Sequence, residues 1–233
     1  KAQLDTFKNW AGKSSDISYY LNSHHIDICA WIAGKSSRPT KVTAFAAMGA
    51  ANKYLNVSDR KIEDTITLTT EWENKEDGSK GIGIYTASWI APKSDSHTQQ
   101  NFHYCGQNGE IRVNQARRGY EMAMDDEQRP FANLNPLYMK YTPGKDGYFS
   151  GQNGYGYRSI ERFVEVCQQM NDGKITKEDV ENMGDLATIE SSARVTAILE
   201  AGRLSLDNSS RGVELVYDKS APFESEPTAL RLF

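Results

Sequence analysis

Residues 64–90 read DTITLTTEWENKEDGSKGIGIYTASWI, and this stretch decides the fold. Over 64–72, Thr65, Thr67 and Thr69 alternate with Ile66, Leu68 and Thr70. That is the period of two, rich in β-branched residues, of a strand with one buried face. Residues 83–90 make a second such run. Between them, Glu73 to Gly81 is charged and carries Asp77-Gly78, the chemistry of a hairpin turn. An isolated hairpin is marginal in water, so further strands must flank it.

Residues 41–48, 99–105, 110–114, 119–124 and 212–216 supply them, with Gly106-Gln107-Asn108-Gly109 as a tight turn. Helical periodicity marks 15–32, 159–170 and 188–206, with a short turn at 175–182. Thr188 is placed to cap the last long helix. Ile160, Phe163, Val164 and Val166 are the expected core face of the one before it. Residues 130–156, rich in glycine and tyrosine, read as a long ordered loop, and the polar 217–233 as a C-terminal arm.

Strands grouped together and helices grouped together predict an α+β domain. The expected architecture is one large, mostly antiparallel (mixed) sheet with helices on one face. The other face, bearing Thr65, Thr67, Thr69, Thr86 and Ser88, is available for a two-fold dimer or for solvent.

The 233 residues weigh 26.1 kDa and carry a formal charge of -4, so the chain can bury a full core without disulfide or metal staples. An isoelectric point near 5.7 argues against nucleic-acid or anionic-membrane partners. No apolar run is long enough to span a bilayer. Cys29, Cys105 and Cys167, odd in number and widely spaced, read as reduced thiols, in keeping with a cytoplasmic protein. Together with His24, His25, His97 and His103 they show no zinc-type spacing, and no metal is expected.

The helix over 15–32 is where chemistry gathers. Ser14 or Ser15 is its expected cap and Gly34 its end. Ile17, Leu21, Ile28 and Ile32 form the expected core stripe, with His25 beside it. Tyr20, His24, Asp27 and Trp31 form a second stripe. Histidine titrates closest to neutral pH, and a tyrosine one turn away could donate or relay a proton. The competing reading is a packed helix histidine satisfied by a carbonyl.

The stretch Tyr20-Leu-Asn-Ser-His24-His25-Ile-Asp27-Ile-Cys-Ala-Trp31-Ile-Ala-Gly34 resembles the start of the C-terminal domain of the glucose–fructose oxidoreductase / inositol dehydrogenase (Gfo/Idh/MocA) family. Residues 64–72 and 83–89 resemble that family's sheet hairpin, and Tyr104 to Ile111 its strand turn. Thr188 to Leu204, then Ser209 to Leu215, resemble its closing helix and strand.

The resemblance covers about 14–216 and implies an NAD(P)-dependent oxidoreductase acting on a sugar, cyclitol or related polyol. His24 would be the catalytic acid/base. Tyr20 stands where the family carries an acid, and a tyrosine keeps its proton at neutral pH, with a reference pKa of about 10. Asp27, Asn22, Lys140, Tyr155, Tyr157 and Arg158 are the candidate substrate-binding residues.

NAD or NADP would be bound by an N-terminal Rossmann domain, whose fingerprint this sequence lacks. Lys1 in place of a methionine agrees with a chain trimmed to its second domain. The expected partners are a small polyol and a second copy of the chain. The alternative is an inactive ligand-binding or dimerising module derived from that family.

Overall fold

The computed structural model describes residues 2–90, 100–114, 119–124, 131–134, 140–143, 147–153 and 156–233, with backbone alone for 2–4, 119–124, 131–134, 140–143 and 149–153. The chain forms two compact units, Lys1–Pro92 with Ala187–Phe233, and Lys93–Leu186.

The first unit opens with helix α1 (Ala2–Phe7), a π-helical turn (Ser18–Asn22) and helix α2 (Ser23–Ala33). Strand β1 (Ser37–Met48), helix α3 (Ala50–Leu55) and strands β2 (Glu63–Asn74) and β3 (Lys80–Ser88) follow. The second unit holds strands β4 (Asn101–Gly106), β5 (Gly109–Asn114), β6 (Gly119–Met124), β7 (Phe131–Leu134), β8 (Lys140–Pro143) and β9 (Phe149–Asn153). Its helices are α4 (Tyr157–Asn171) and α5 (Lys177–Met183). The chain then completes the first unit with α6 (Ile189–Asp207), β10 (Val213–Val216) and β11 (Ala229–Leu232).

The fold is α+β. The first unit's sheet runs β11-β10-β1-β2-β3, every pair antiparallel. Its buried face follows from the alternation: Ala44 stands opposite Leu68, and Leu68 opposite Tyr85. Val42, Ala44, Ile66, Leu68, Ala87, Val213 and Leu215 pack with Ile26, Ile198, Leu199 and Ala201. Each valine, leucine and isoleucine among them contributes about 1.5–3 kcal/mol when fully removed from water. Helix α6 comes close to β2 because position 202 is glycine: a β-carbon there would stand 2.4 Å from Leu68 Cδ2. Ser205 Oγ accepts from Ala44 N at 3.0 Å and donates to the Arg211 carbonyl at 2.6 Å, tying α6 to β1.

Polar groups fix the helix ends. Asp16, 5 % exposed, is the residue that caps the first turn, accepting from Ser18 N at 2.8 Å and Tyr19 N at 3.1 Å. That role was expected of Ser14 or Ser15; the carboxylate takes it because Arg203 holds it inside, at 3.2 Å. Asp64 accepts from Ala50 N and Ala51 N, closing the start of α3. Thr188 caps α6 in a reciprocal box with Ser191, as its sequence suggests. Buried Arg194 donates to the carbonyls of Gly34, Ser37 and Glu224, satisfying the C-terminal end of α2.

In the second unit, β4-β5-β6-β7 form an antiparallel sheet and β8-β9 a two-stranded ribbon. Helix α5 is capped by Thr176 and Asp179, and Arg162 reaches Asp185 at 2.7 Å.

Four expectations are corrected. Among the described residues the single large sheet is three sheets, because β4 to β9 pair among themselves and only β10 and β11 return to the sheet of β1, β2 and β3. The loop at 130–156 contains β7, β8 and β9. The C-terminal arm is packed: β11 extends the sheet beside β10, Phe233 N bonds the Gly212 carbonyl, and Arg38 lies 4.5 Å from the Tyr217 ring centre and 4.3 Å from that of Phe223. On α4, Ile160, Phe163 and Val164 are exposed and Val166 is buried, so the packed side of that helix is the one bearing Val166.

The core stripe of α2 is rotated as well. Ile17 is buried, but Ile28 and Ile32 are 43 % and 49 % exposed, and Ile26 is fully buried in their place. The π-helical turn is the cause. Its wider i→i+5 bonding absorbs an extra residue, so the phase read from Ile17 and Leu21 is lost beyond Asn22. Ile26, Cys29, Ala30 and Ala33, at helical spacing, face the core instead.

Candidate functional site

The rotation that buries Ile26 turns His24, Asp27 and Trp31 outward, all exposed. His24 and Asp27, with Ser23 and Ile28, form one wall of a groove of about 510 Å³. The opposite wall is α6 and the residue before its cap: Ala187, Ser192, Val195, Thr196 and Leu199. Ser192, Thr196 and Leu199 recur at helical spacing on one face of α6. A neighbouring groove of about 690 Å³ shares Ala187, Ser192 and Thr196 and runs on to Pro227 and Leu230. It is lined mainly by alanine and other small apolar groups, with Glu200 its one ionisable side chain among the described residues. The chemistry therefore lies in the smaller groove, where an imidazole and a carboxylate meet two alcohols.

No hydrogen bond or ion pair engages His24 or Asp27 among the described residues. Their polar atoms are open to a ligand. Beside them, His25 is half-buried, and burial, then the charge of His24, hold its pKa below the ordinary histidine value.

The other sequence candidates are placed as follows. Tyr20 does not share the His24 face: its ring lies among Phe7, Trp10 and Trp89, with centroid distances of 4.6, 5.7 and 5.8 Å. The π-helical turn between Tyr20 and His24 breaks the four-residue spacing that would align them. Asn22 is buried, and its amide donates to Ser18 Oγ at 3.0 Å and towards the Ile66 carbonyl, a bracket between helix and sheet.

Tyr157 and Arg158 open α4 in the second unit; both are exposed, and Arg158 pairs with Glu161 at 2.7 Å. Lys140 lies in β8, where the backbone alone is described, and Tyr155 is outside the described residues. Sequence reasoning missed Ser192 and Thr196. Their signal is the repeat on α6, which by itself marks a polar helix face and nothing more.

Neighbouring Tyr19 donates to Glu200 at 2.5 Å, and burial, then this bond, push its pKa far above the usual phenol. It stays protonated and joins α6 to the helix start.

A dinucleotide is held at the carboxyl ends of parallel strands, against a helix N-terminus. Every described strand pair is antiparallel. The described residues do not form a Rossmann-type NAD(P) crevice.

No helix among the described residues is long and apolar enough to cross a membrane. No family model and no curated protein matches the chain. Among solved structures, it is similar to the super-repressor mutant of Gal80p from Saccharomyces cerevisiae, at a TM-score of 0.48 and 12% identity, over 85% of this chain and 50% of that one. The chain spans about half the length of that protein.

Proposed function

We propose that this chain is the substrate-binding and dimerising domain of a two-domain, cytoplasmic, NAD(P)-dependent oxidoreductase of the Gfo/Idh/MocA type, acting on a sugar, cyclitol or related polyol. The observation that carries the reading is the groove in which His24 and Asp27 stand exposed and unengaged opposite Ser192 and Thr196. Polyols are bound through many hydrogen bonds, and this set offers both donors and acceptors. His24 takes the proton of the reacting hydroxyl, and Asp27 accepts from a neighbouring one. The nucleotide is held by another domain, and nothing in the action of His24 and Asp27 described here depends on its geometry.

The second copy docks on the outer face of the five-stranded sheet. Phe45, Ile82 and Ile84 are 61 %, 73 % and 69 % exposed there, beside the hydroxyl pairs Thr65–Ser88 and Thr67–Thr86. Charges of both signs border them: Arg231, Glu214, Lys41, Glu71 and Lys80. A face carrying both signs can complement itself across a two-fold axis.

A second reading rests on Tyr20. Its ring is committed to the aromatic cluster, which leaves His24 without the partner that the sequence suggested. In that reading the groove binds a ligand and turns nothing over.

Titrating the chain with a polyol panel, myo-inositol and glucose included, while following the His24 ring by NMR tests both readings. Both expect shifts at His24 and Asp27; silence across the panel, or shifts confined elsewhere, overturns them. NAD(P)H should not bind this chain tightly, and tight binding in a fluorescence titration overturns the domain assignment. In the intact two-domain protein, His24→Ala should lower kcat by on the order of 10²-fold. A ligand-binding protein without turnover selects the second reading.

A further inference from the structure

The hairpin β4–β5 brings together three ligand-bearing side chains that sequence spacing keeps apart. His103 and Cys105 are two residues apart in a strand, hence on one face. Glu110 stands directly opposite Cys105 in the register, hence on that same face. His103 Nε2 lies 2.7 Å from Glu110 Oε2 and 3.2 Å from Cys105 Sγ, and Cys105 Sγ lies 3.9 Å from Glu110 Oε2. One nitrogen, one sulfur and one oxygen thus converge within 4.8 Å of one another.

We propose that His103, Cys105 and Glu110 form a binding site for a borderline transition-metal ion, Zn²⁺ in the first place. Tetrahedral zinc has Zn–N and Zn–O bonds of about 2.0–2.2 Å and Zn–S of about 2.3 Å, which sets ligand atoms about 3.3–3.6 Å apart. The separations of 2.7, 3.2 and 3.9 Å bracket that range, so rotation of exposed side chains is enough to seat the ion.

A thiolate and an imidazole select against Mg²⁺ and Ca²⁺, which take oxygen ligands. The alternative of a Cys–His–Glu nucleophile does not fit. Such a triad uses both imidazole nitrogens, whereas Cys105 and Glu110 both approach Nε2. Three protein ligands leave a fourth position for water.

Arg112 competes for the same atoms. Its guanidinium donates to Glu110 at 3.1 Å and lies 3.4 Å from His103 Nε2. The shorter contact, 2.7 Å from Nε2 to the Glu110 carboxylate, has Nε2 as the donor, so that hydrogen must leave Nε2, to Nδ1 or to solvent, before the nitrogen can ligate. Metal entry displaces Arg112, and Cys105 gives its thiol proton to solvent as the sulfur–metal bond forms.

Co²⁺, a coloured stand-in for Zn²⁺, tests the site in the whole 233-residue chain under reducing conditions. The expected result is one equivalent bound, with a thiolate-to-cobalt charge-transfer band and tetrahedral visible bands, all abolished by added Zn²⁺. Cys105→Ser should remove the charge-transfer band. His103→Ala and Glu110→Gln should each weaken binding more than tenfold. Arg112→Ala should tighten it, a response that a purely structural role of the hairpin would not give. Absence of the band in the unaltered chain, its survival in Cys105→Ser, or weaker binding in Arg112→Ala overturns the proposal. Circular dichroism of each variant confirms that the surface substitutions leave the fold intact.

Discussion

Helix α6 takes part in two polar clusters that differ in one respect. At its C-terminal end, Arg203 binds Asp16 at 3.2 Å, Glu63 at 2.8 Å and Asp207 at 2.7 Å, with both Asp16 and Glu63 buried. Near its N-terminal end, Ser192 and Thr196 face His24 and Asp27, which are exposed and engaged by no described side chain. The first cluster has spent its hydrogen bonds on the fold; in the second, Thr196 donates to the Ser192 carbonyl at 3.1 Å, while His24 and Asp27 keep theirs. Titratable groups left open in a groove are the ones a ligand can use.

The sharpest way to break this contrast is to remove Arg203. Burial opposes its charge, but Asp207 and Glu63 more than offset that, and its pKa stands above the ordinary arginine value. Arg203→Met leaves two buried carboxylates without their cation. The expected cost is about 3 kcal/mol, the low end for a broken buried pair because Arg203 keeps part of its surface in water.

The loss should depend on pH. Burial already holds the Asp16 pKa above the usual carboxylate value, against the pull of the Tyr19 amide and Arg203. Without Arg203 that pKa rises further. A raised folded-state pKa favours the protonated acid, so the stability that it contributes is present at low pH and lost as pH rises through it. Urea unfolding at pH 7 and pH 4 should therefore show a smaller penalty at pH 4. An equal penalty at both would mean that Arg203 acts through packing alone.

How much of this the sequence displays follows from what each feature depends on. The strands β2 and β3 are visible because a period of two over Thr65 to Thr70 is local. The cap at Thr188 is visible because a capping box spans four residues. The π-helical turn at Ser18–Asn22 is hidden, since one extra residue in a turn leaves no compositional mark and is stabilised from outside, through Asp16 and Arg203. Everything downstream inherits that shift, which is why the stripe of Ile28 and Ile32 and the pairing of Tyr20 with His24 were both misaligned. The division into three sheets is hidden for a related reason: which strand pairs with which is decided by contacts between distant parts of the chain. His24 and Asp27 stand out in sequence as a histidine and an acid on one face, whereas their partners Ser192 and Thr196 are brought in only by the packing of α6 on α2.

A smaller effect tests the boundary between the two clusters. His25 is half-buried next to exposed His24, with its pKa held below the ordinary histidine value of 6.5. The unfolded chain therefore binds more protons than the folded one between that lowered value and 6.5. Stability from this group is fully present above pH 6.5 and is lost as pH falls through the folded-state value. Melting temperature should decline on acidification from pH 7 towards pH 5, and His25→Gln should flatten that decline. A slope that persists unchanged in the variant assigns it to other groups.

The smallest stability effect is expected at the residue with the largest expected effect on function. His24 is exposed and makes no described hydrogen bond, so His24→Ala should change unfolding free energy by no more than about 0.5 kcal/mol. It should still have one measurable consequence inside the protein. The nearby His24 charge is the second cause, after burial, of the low pKa of His25. Removing it should move the His25 titration, followed by NMR, upward towards the ordinary histidine value, while burial keeps it from arriving there. A destabilisation as large as that of Arg203→Met would place His24 with the groups that hold the fold. A neutral effect on stability with a shifted His25 titration keeps it free for the groove, because a side chain that costs nothing to remove is one the fold does not use.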